Sequence, residues 1–373
     1  MSHLLAASVT NEVAAERAVL PRSSKSFYRP ELDCLRFFAF LAVFVHHTMP
    51  RQIDFYIAHH LPTALSNVAY AGSFGVDLFF CLSAFLITEL LLREKEEVGY
   101  LNVKAFYIRR ILRIWPLYFA FVLFSFGLTF VDPGQHFSAS QLTMFLLLAG
   151  NWASAFAVIT SVVAPLWSVS IEEQFYLLWP LVVRKATRKP MLIICLAMIG
   201  LAFAWRAFVQ MRGFSHDFAW NATFGHLDSI GYGILLSLVG FRKQTPPWVR
   251  IGLLLAGLSA WFLAGGIHSR DDVMMALAAL GSVAILRAVI GIKLDYPVLV
   301  RLGVVSYGLY VYHELFLNYF NEILPSTHRW GFVLWWILAI SCTTVTALAS
   351  YRWLESPFLR LKKRFTIVKS RPV

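Results

Sequence analysis

Apolar runs of about 18 residues or more return along this chain from about residue 32 to residue 351, and no stretch between them is left to build a separate water-soluble core. Inside hydrocarbon a backbone must satisfy its own amides, so runs of this length fold as helices. The candidate spans are 32–50, 70–92, 111–131, 165–183, 191–211, 222–240, 251–267, 273–290, 299–320 and 331–351. Composition agrees: 58% of residues are hydrophobic and 14% charged, against roughly 45–50% and 25% in a soluble domain. The expected fold is all-α, a polytopic transmembrane helix bundle of about ten spans, and the lipid bilayer is its first partner.

One further apolar segment, 141–159, is long enough to cross. Counting it as a span would put Arg184, Lys185, Arg188 and Lys189 on the side of the acidic-leaning short loops, against the positive-inside rule. Read instead as re-entrant or interfacial, it leaves the basic segments on one side: the N-terminal tail, then 93–110, 184–190, 242–250, 287–301 and 352–373. The opposite loops carry only Arg51, Arg212, Arg270 and Arg329. Both termini are therefore expected in the cytoplasm, with a tail over 1–29, a membrane domain over 30–363 and a second tail over 364–373. The first 29 residues lack the apolar core of a cleavable signal peptide. The net charge of +12 is explained by this loop asymmetry, so nucleic acid is not expected as a partner. Cys34, Cys81, Cys195 and Cys342 stand singly, without metal or redox spacing, and are expected to be buried free thiols.

Polar residues inside spans are costly and mark function by default. Arg36 and His47 lie eleven steps apart in ELDCLRFFAFLAVFVHHTMP, almost three helical turns, so they share one face with about 16 Å between them along the axis. A cation able to hold phosphate and a base able to take a proton are thus fixed on one rod. His46 sits roughly 80° off that face. Arg110 and Arg113, three apart, are neighbours at the mouth of the third span. Such a pair either anchors a helix at the headgroups or, beside Arg36, clamps a phosphate. Glu172 and Glu173 point about 100° apart, so only one of them can face a given site. Asp77 either pairs helices or serves chemistry. Tyr310 and His313 share a face and fit an acceptor pocket or interhelical bonding. No metal is expected: adjacent His59 and His60 do not converge on one ion as an HExxH pair does. Glu355 and the LKKRF cluster are expected at the headgroup interface.

ELDCLR with its following HH, GVDLFFCLSAFLIT, RRILRIWPLYF, LWSVSIEEQFYLLWP, SYGLYVYH and YRWLESPF resemble, in order and over residues 29–363, the signature blocks of the membrane acyltransferase-3 family, bacterial enzymes that O-acylate sugars. The resemblance places the family's Arg-x10-His motif on Arg36 and His47 and its RxxR motif on Arg110 and Arg113. It assigns His47 to catalysis and the three arginines to the phosphates of a cytoplasmic acyl-CoA, most simply acetyl-CoA, with Arg109 kept as an anchor. Asp228, in GHLD, matches the family's aspartate and is expected in the acceptor pocket or its support. Three positions depart from the pattern: Cys34 and Ala84 stand where Gly is usual, and His226 where Arg is common. Because only about twenty residues follow the last span, the hydrolase-like extracytoplasmic domain of some members is not expected.

The resemblance therefore implies a multi-pass enzyme of the bacterial inner membrane that moves an acyl group to a hydroxyl of a carbohydrate or glycolipid. Neutral His47 would take the hydroxyl proton, with direct transfer and an acyl-histidine relay both open. Glu172, Glu173 or Asp77 would orient the imidazole. The alternative is a transporter or flippase, which also uses buried charges, but the paired Gly/Pro-broken helices of that class are not evident. A scaffold for polysaccharide export would leave the registration of Arg36 with His47 unexplained.

Overall fold

The computed structural model describes residues 28–50, 53–58, 60–240, 245–267, 269–293, 296–323 and 329–366. Most of both expected tails, together with Arg51, His59 and the side chain of Arg329, lies outside the described residues. Among the described residues the chain is helical, without a strand, and ten helices run for 13 residues or more. They are α1 (Pro30–Thr48), α2 (Gly75–Val98), α3 (Val103–Leu128), α4 (Trp167–Lys185) and α5 (Arg188–Arg212), then α6 (Leu227–Val239), α7 (Pro247–Gly265), α8 (Asp271–Val289), α9 (Ser306–Ile323) and α10 (Arg329–Ser350). Each overlaps one of the ten apolar stretches.

Local chemistry sets the ends. Pro30 opens α1 at a position whose amide needs no partner. The Asn102 side chain caps α3 by accepting from Ala105 N at 2.9 Å. Gly99 and Gly213 close α2 and α5 at φ of 83° and 67°, the left-handed region that favours glycine.

Six helical stretches among the described residues are long and apolar enough to cross a membrane: Ala64–Val98, Val103–Leu128, Arg188–Arg212, Pro247–Gly265, Asp271–Val289 and Val333–Phe365. The four long helices outside that set, α1, α4, α6 and α9, carry Arg36 and His47, Glu172 and Glu173, Asp228, and His313. Polar groups, and in α6 a length of 13 residues, take these helices out of the apolar class.

The long helix containing α2 is the central element: 67% of its apolar window is buried, against 22% for α5 and for α7. Close approach is possible where side chains are small. A Cβ on Gly303 would lie 1.8 Å from the Asp33 carbonyl oxygen, so the short helix Pro297–Val304 can seat on α1 only with glycine there. Ala84 and Cys34, in place of the usual glycines, are both fully packed. Of the four thiols, Cys34, Cys81 and Cys195 are buried and Cys342 half-buried; burial of all four was expected, but α10 is a peripheral helix.

Contacts gather the basic segments at one end of the bundle. Lys95 donates to the carbonyls of Val183 and Ala186 at the end of α4. Arg109 bridges Glu94 and the Phe365 carbonyl, each at 2.7 Å. Arg250 reaches the carbonyls of Ala288 and Ile290, and the Gly291 amide donates to Glu31. Segment 141–159 is not one helix. It breaks into Ala139–Leu146 and Gly150–Phe156, with Leu148 at φ 58° between them. Its flanks meet where His136 N donates to Thr160 O at 2.7 Å, so the chain enters and leaves at the same end.

Candidate functional site

Two cavities lie one above the other along α1, and Val76 and Tyr310 line both. The first, about 180 Å³, sits toward the basic end and is lined by Arg29, Arg36, Arg110, Arg113 and Lys362 together with Asp33 and Glu172. Five cations face two carboxylates, so the cavity suits a polyanion. The second, about 270 Å³, is lined by His46, His47, Glu314, Asp217 and Asn221 and walled by Trp167, Trp220 and Tyr310. Polar groups between aromatic faces suit a polyhydroxylated ligand.

The guanidinium groups are held ready. Arg36 donates to Asp33 Oδ1 at 2.8 Å, one helical turn back. Arg110 lies across the rings of Phe106 and Tyr176, 5.5 and 5.4 Å from their centroids. Arg113 donates to the Val304 carbonyl at 3.2 Å and lies 3.9 Å from Glu355. The structure thus brings Arg36, Arg110 and Arg113 together, with Arg109 occupied elsewhere. It adds Arg29, which no sequence motif marked, and Lys362 of the LKKRF cluster, which was expected at the headgroup interface. Glu355, expected at the headgroup interface, is instead buried beside Arg113, because the chain tightens into a π-turn over Tyr351–Glu355 and swings the carboxylate inward.

Of the two adjacent carboxylates Glu172 faces the arginine cavity. Tyr176 donates to Glu172 Oε2 at 3.1 Å, and the Ser83 hydroxyl pairs with Tyr176 in turn. Glu173 turns away and accepts from Trp115 Nε1 at 2.8 Å.

His47 meets a different carboxylate. Its Nδ1 lies 3.3 Å from Glu314 Oε2, and its ring stands edge-on to His313 with centroids 5.1 Å apart. His313 donates from Nδ1 to the Tyr310 carbonyl at 2.6 Å. The Tyr310 hydroxyl donates to the Pro165 carbonyl and pairs with Ser168, both at 2.8 Å. His46 is set against Ala69, whose carbonyl lies 2.9 Å from its Nδ1. It nevertheless reaches the histidine cavity, so its angular offset does not exclude it.

Asp77 and Asp228 line neither cavity. Asp77, expected either to pair helices or to serve chemistry, and Asp228, expected in the acceptor pocket or its support, both sit in a fully buried knot between α2, α5 and α6. Asp77 Oδ1 accepts from Ser229 at 2.7 Å and faces His226 Nδ1 at 2.9 Å. Asp228 Oδ1 accepts from Arg206 and from the Ser229 amide. His226 Nε2 faces the Trp220 carbonyl at 2.7 Å, so both ring nitrogens see acceptors and the knot packs two carboxylates against Arg206 and this imidazole. Asp228 therefore supports the fold from a distance. Arg206 was missed, although an arginine in the middle of the apolar run 191–211 was a legible signal.

A family model described as an acyltransferase domain matches residues 29–352. The chain is similar to the peptidoglycan O-acetyltransferase OatA of Listeria monocytogenes, 28% identical over 93% of this chain and 60% of the relative. It is likewise similar to the O-acetyltransferase OatA of Staphylococcus aureus, 25% identical over 88% of this chain and 57% of the relative. It thus spans about three fifths of the length of these curated relatives. No solved structure matches.

Proposed function

This chain belongs to the membrane acyltransferase-3 family, and on that premise we propose that it transfers an acyl group, acetyl in the simplest case, from acyl-CoA to a sugar hydroxyl of a cell-surface glycan or its lipid-linked precursor. The observation that carries this reading is the pair of cavities strung on α1, cationic around Arg36 and aromatic-polar around His47, which meet at Val76 and Tyr310. The roughly 16 Å of helix between Arg36 and His47 suits a donor whose phosphates and thioester lie at opposite ends of an extended arm. The names of the relatives, one of them a peptidoglycan O-acetyltransferase, favour a wall or surface polysaccharide as acceptor.

In this scheme Arg36, Arg110 and Arg113 hold the phosphates of CoA, exchanging Asp33 and Glu355 for the ligand's oxygens. The thioester arrives beside His47. The acceptor oxygen attacks its carbonyl carbon while the hydroxyl proton passes to His47; the carbon–sulfur bond breaks, and the departing thiolate takes that proton as the thiol. Glu314, facing Nδ1, fixes the ring so that Nε2 presents its lone pair, the orienting role expected from Glu172, Glu173 or Asp77. An acyl-Nε2 intermediate is the variant route when donor and acceptor enter from opposite faces. His313 and Tyr310 shape the acceptor side.

The bundle would cross the bacterial inner membrane ten times with both termini in the cytoplasm, the tails being 1–29 and 364–373 around a membrane domain over 30–363. Support comes from the clustering of basic segments at one end and from the joined flanks of 136–160. Purified protein in proteoliposomes, given radiolabelled acetyl-CoA and a soluble muropeptide or oligosaccharide, should release labelled ester in proportion to enzyme. Absence of any labelled acceptor, with CoA bound, would contradict the proposal.

A further inference from the structure

His47 and His313, from helices far apart in sequence, converge with Glu314 so that one ligand atom of each lies within 4.8 Å of the others. We propose that these three residues form a zinc site at the floor of the histidine cavity. The assignment goes against the expectation from sequence that the chain binds no metal, because the cluster exists only once α9 packs on α1.

His313 is the first support. Its ring is fully buried, and its Nδ1 faces a backbone carbonyl, which can only accept. The proton of the neutral ring therefore sits on Nδ1, and Nε2 carries a bare lone pair. That atom is buried and has no hydrogen-bond partner among the described residues. A buried acceptor left unmade is costly, and a carbonyl holding the remote nitrogen is the outer-sphere arrangement that metal-binding histidines use.

Spacing is the second. Ligands on a tetrahedral ion at about 2.0–2.1 Å stand about 3.3–3.4 Å apart. Glu314 Oε2 lies 3.3 Å from His47 Nδ1 and 3.9 Å from His313 Nε2, so small rotations would close the set. Two imidazoles and one carboxylate form the borderline donor set that zinc prefers over magnesium or calcium. The cavity beyond, about 270 Å³, has room for a water as fourth ligand.

The consequence for turnover rests on the acyl-transfer reading. Zinc on His47 Nδ1 moves that ring's proton to Nε2, which then has no lone pair to accept one from the acceptor, so bound zinc inhibits reversibly.

The test uses Co2+ as spectroscopic probe on the full chain in detergent. About one ion per chain should bind with the intense visible absorption of tetrahedral cobalt, should be displaced by Zn2+, and should be lost in His313→Gln and in Glu314→Gln. No bound cobalt, or absorption unchanged in both variants, overturns the site. Should the variants fail to fold, wild-type protein suffices: bound zinc should protect the accessible His47 from diethyl pyrocarbonate, read by peptide mass spectrometry, and an unprotected His47 overturns the site. Binding is scored without turnover, so a metal site in a protein that transfers no acetyl group would sink the functional reading alone, and turnover without metal binding would sink the site alone.

Discussion

The imidazole of His47 and the carboxylate of Glu314 face each other at 3.3 Å across the packing of α9 on α1. The pair places a base and its orienting group on two different helices, so its geometry depends on how those helices seat. A partly buried ion pair of this kind is worth about 1–2 kcal/mol, and its loss should slow a step that needs the oriented ring by roughly 5- to 30-fold. Glu314→Gln should therefore lower kcat in that range while leaving the KM for acyl-CoA near its wild-type value. An unchanged kcat would remove Glu314 from the mechanism.

Arg110 and Arg113 should behave differently. Both line the arginine cavity, and as phosphate contacts each is worth roughly 1.5–3 kcal/mol of binding. Arg110→Ala and Arg113→Ala should weaken CoA binding roughly 10- to 100-fold, read by isothermal titration. Lysine at either position should restore only part, since it lacks the planar fork. Wild-type affinity in both alanine variants would return these residues to a role as helix anchors.

The buried knot predicts a loss of stability with no direct loss of chemistry. Arg206→Met leaves Asp228 without its cation in a fully buried setting, a change that costs about 3–5 kcal/mol when one member of a buried pair is removed. The melting temperature of the variant in detergent should fall sharply, while the fraction that remains folded binds CoA normally. A wild-type melting curve would mean that the knot contributes nothing to holding α2, α5 and α6 together.

Topology is open to labelling. Single cysteines placed over 184–190 should be reached by impermeant reagents only from the cytoplasm, together with those over 242–250. Lys95 already joins the ends of α2 and α4 at one level. Labelling of 184–190 from outside would require 141–159 to cross, against the backbone pairing of His136 with Thr160.

What the sequence made legible was periodic or local. Arg36 and His47 lie on one helix, so counting at 100° per residue relates them correctly, and Arg110 and Arg113 are neighbours for the same reason. The partner of His47 was not legible: Glu314 stands beside His313, a residue already singled out, but nothing local says that α9 docks against that turn of α1. Asp77 was open between pairing helices and serving chemistry. An aspartate in an apolar run signals cost, yet only the packing of α6 on α2 shows that His226 and Ser229 absorb that cost structurally.

The most direct measurement is acetyl transfer by His47→Gln set beside its affinity for CoA. As the general base, His47 should contribute on the order of 10²- to 10⁴-fold to kcat, so the purified variant should bind CoA as tightly as wild type while turnover with a defined acceptor collapses. His46→Ala, whose ring is set against the Ala69 carbonyl, should lose far less. Wild-type turnover in His47→Gln, or an essential role for His46 instead, would contradict the proposed mechanism at its centre.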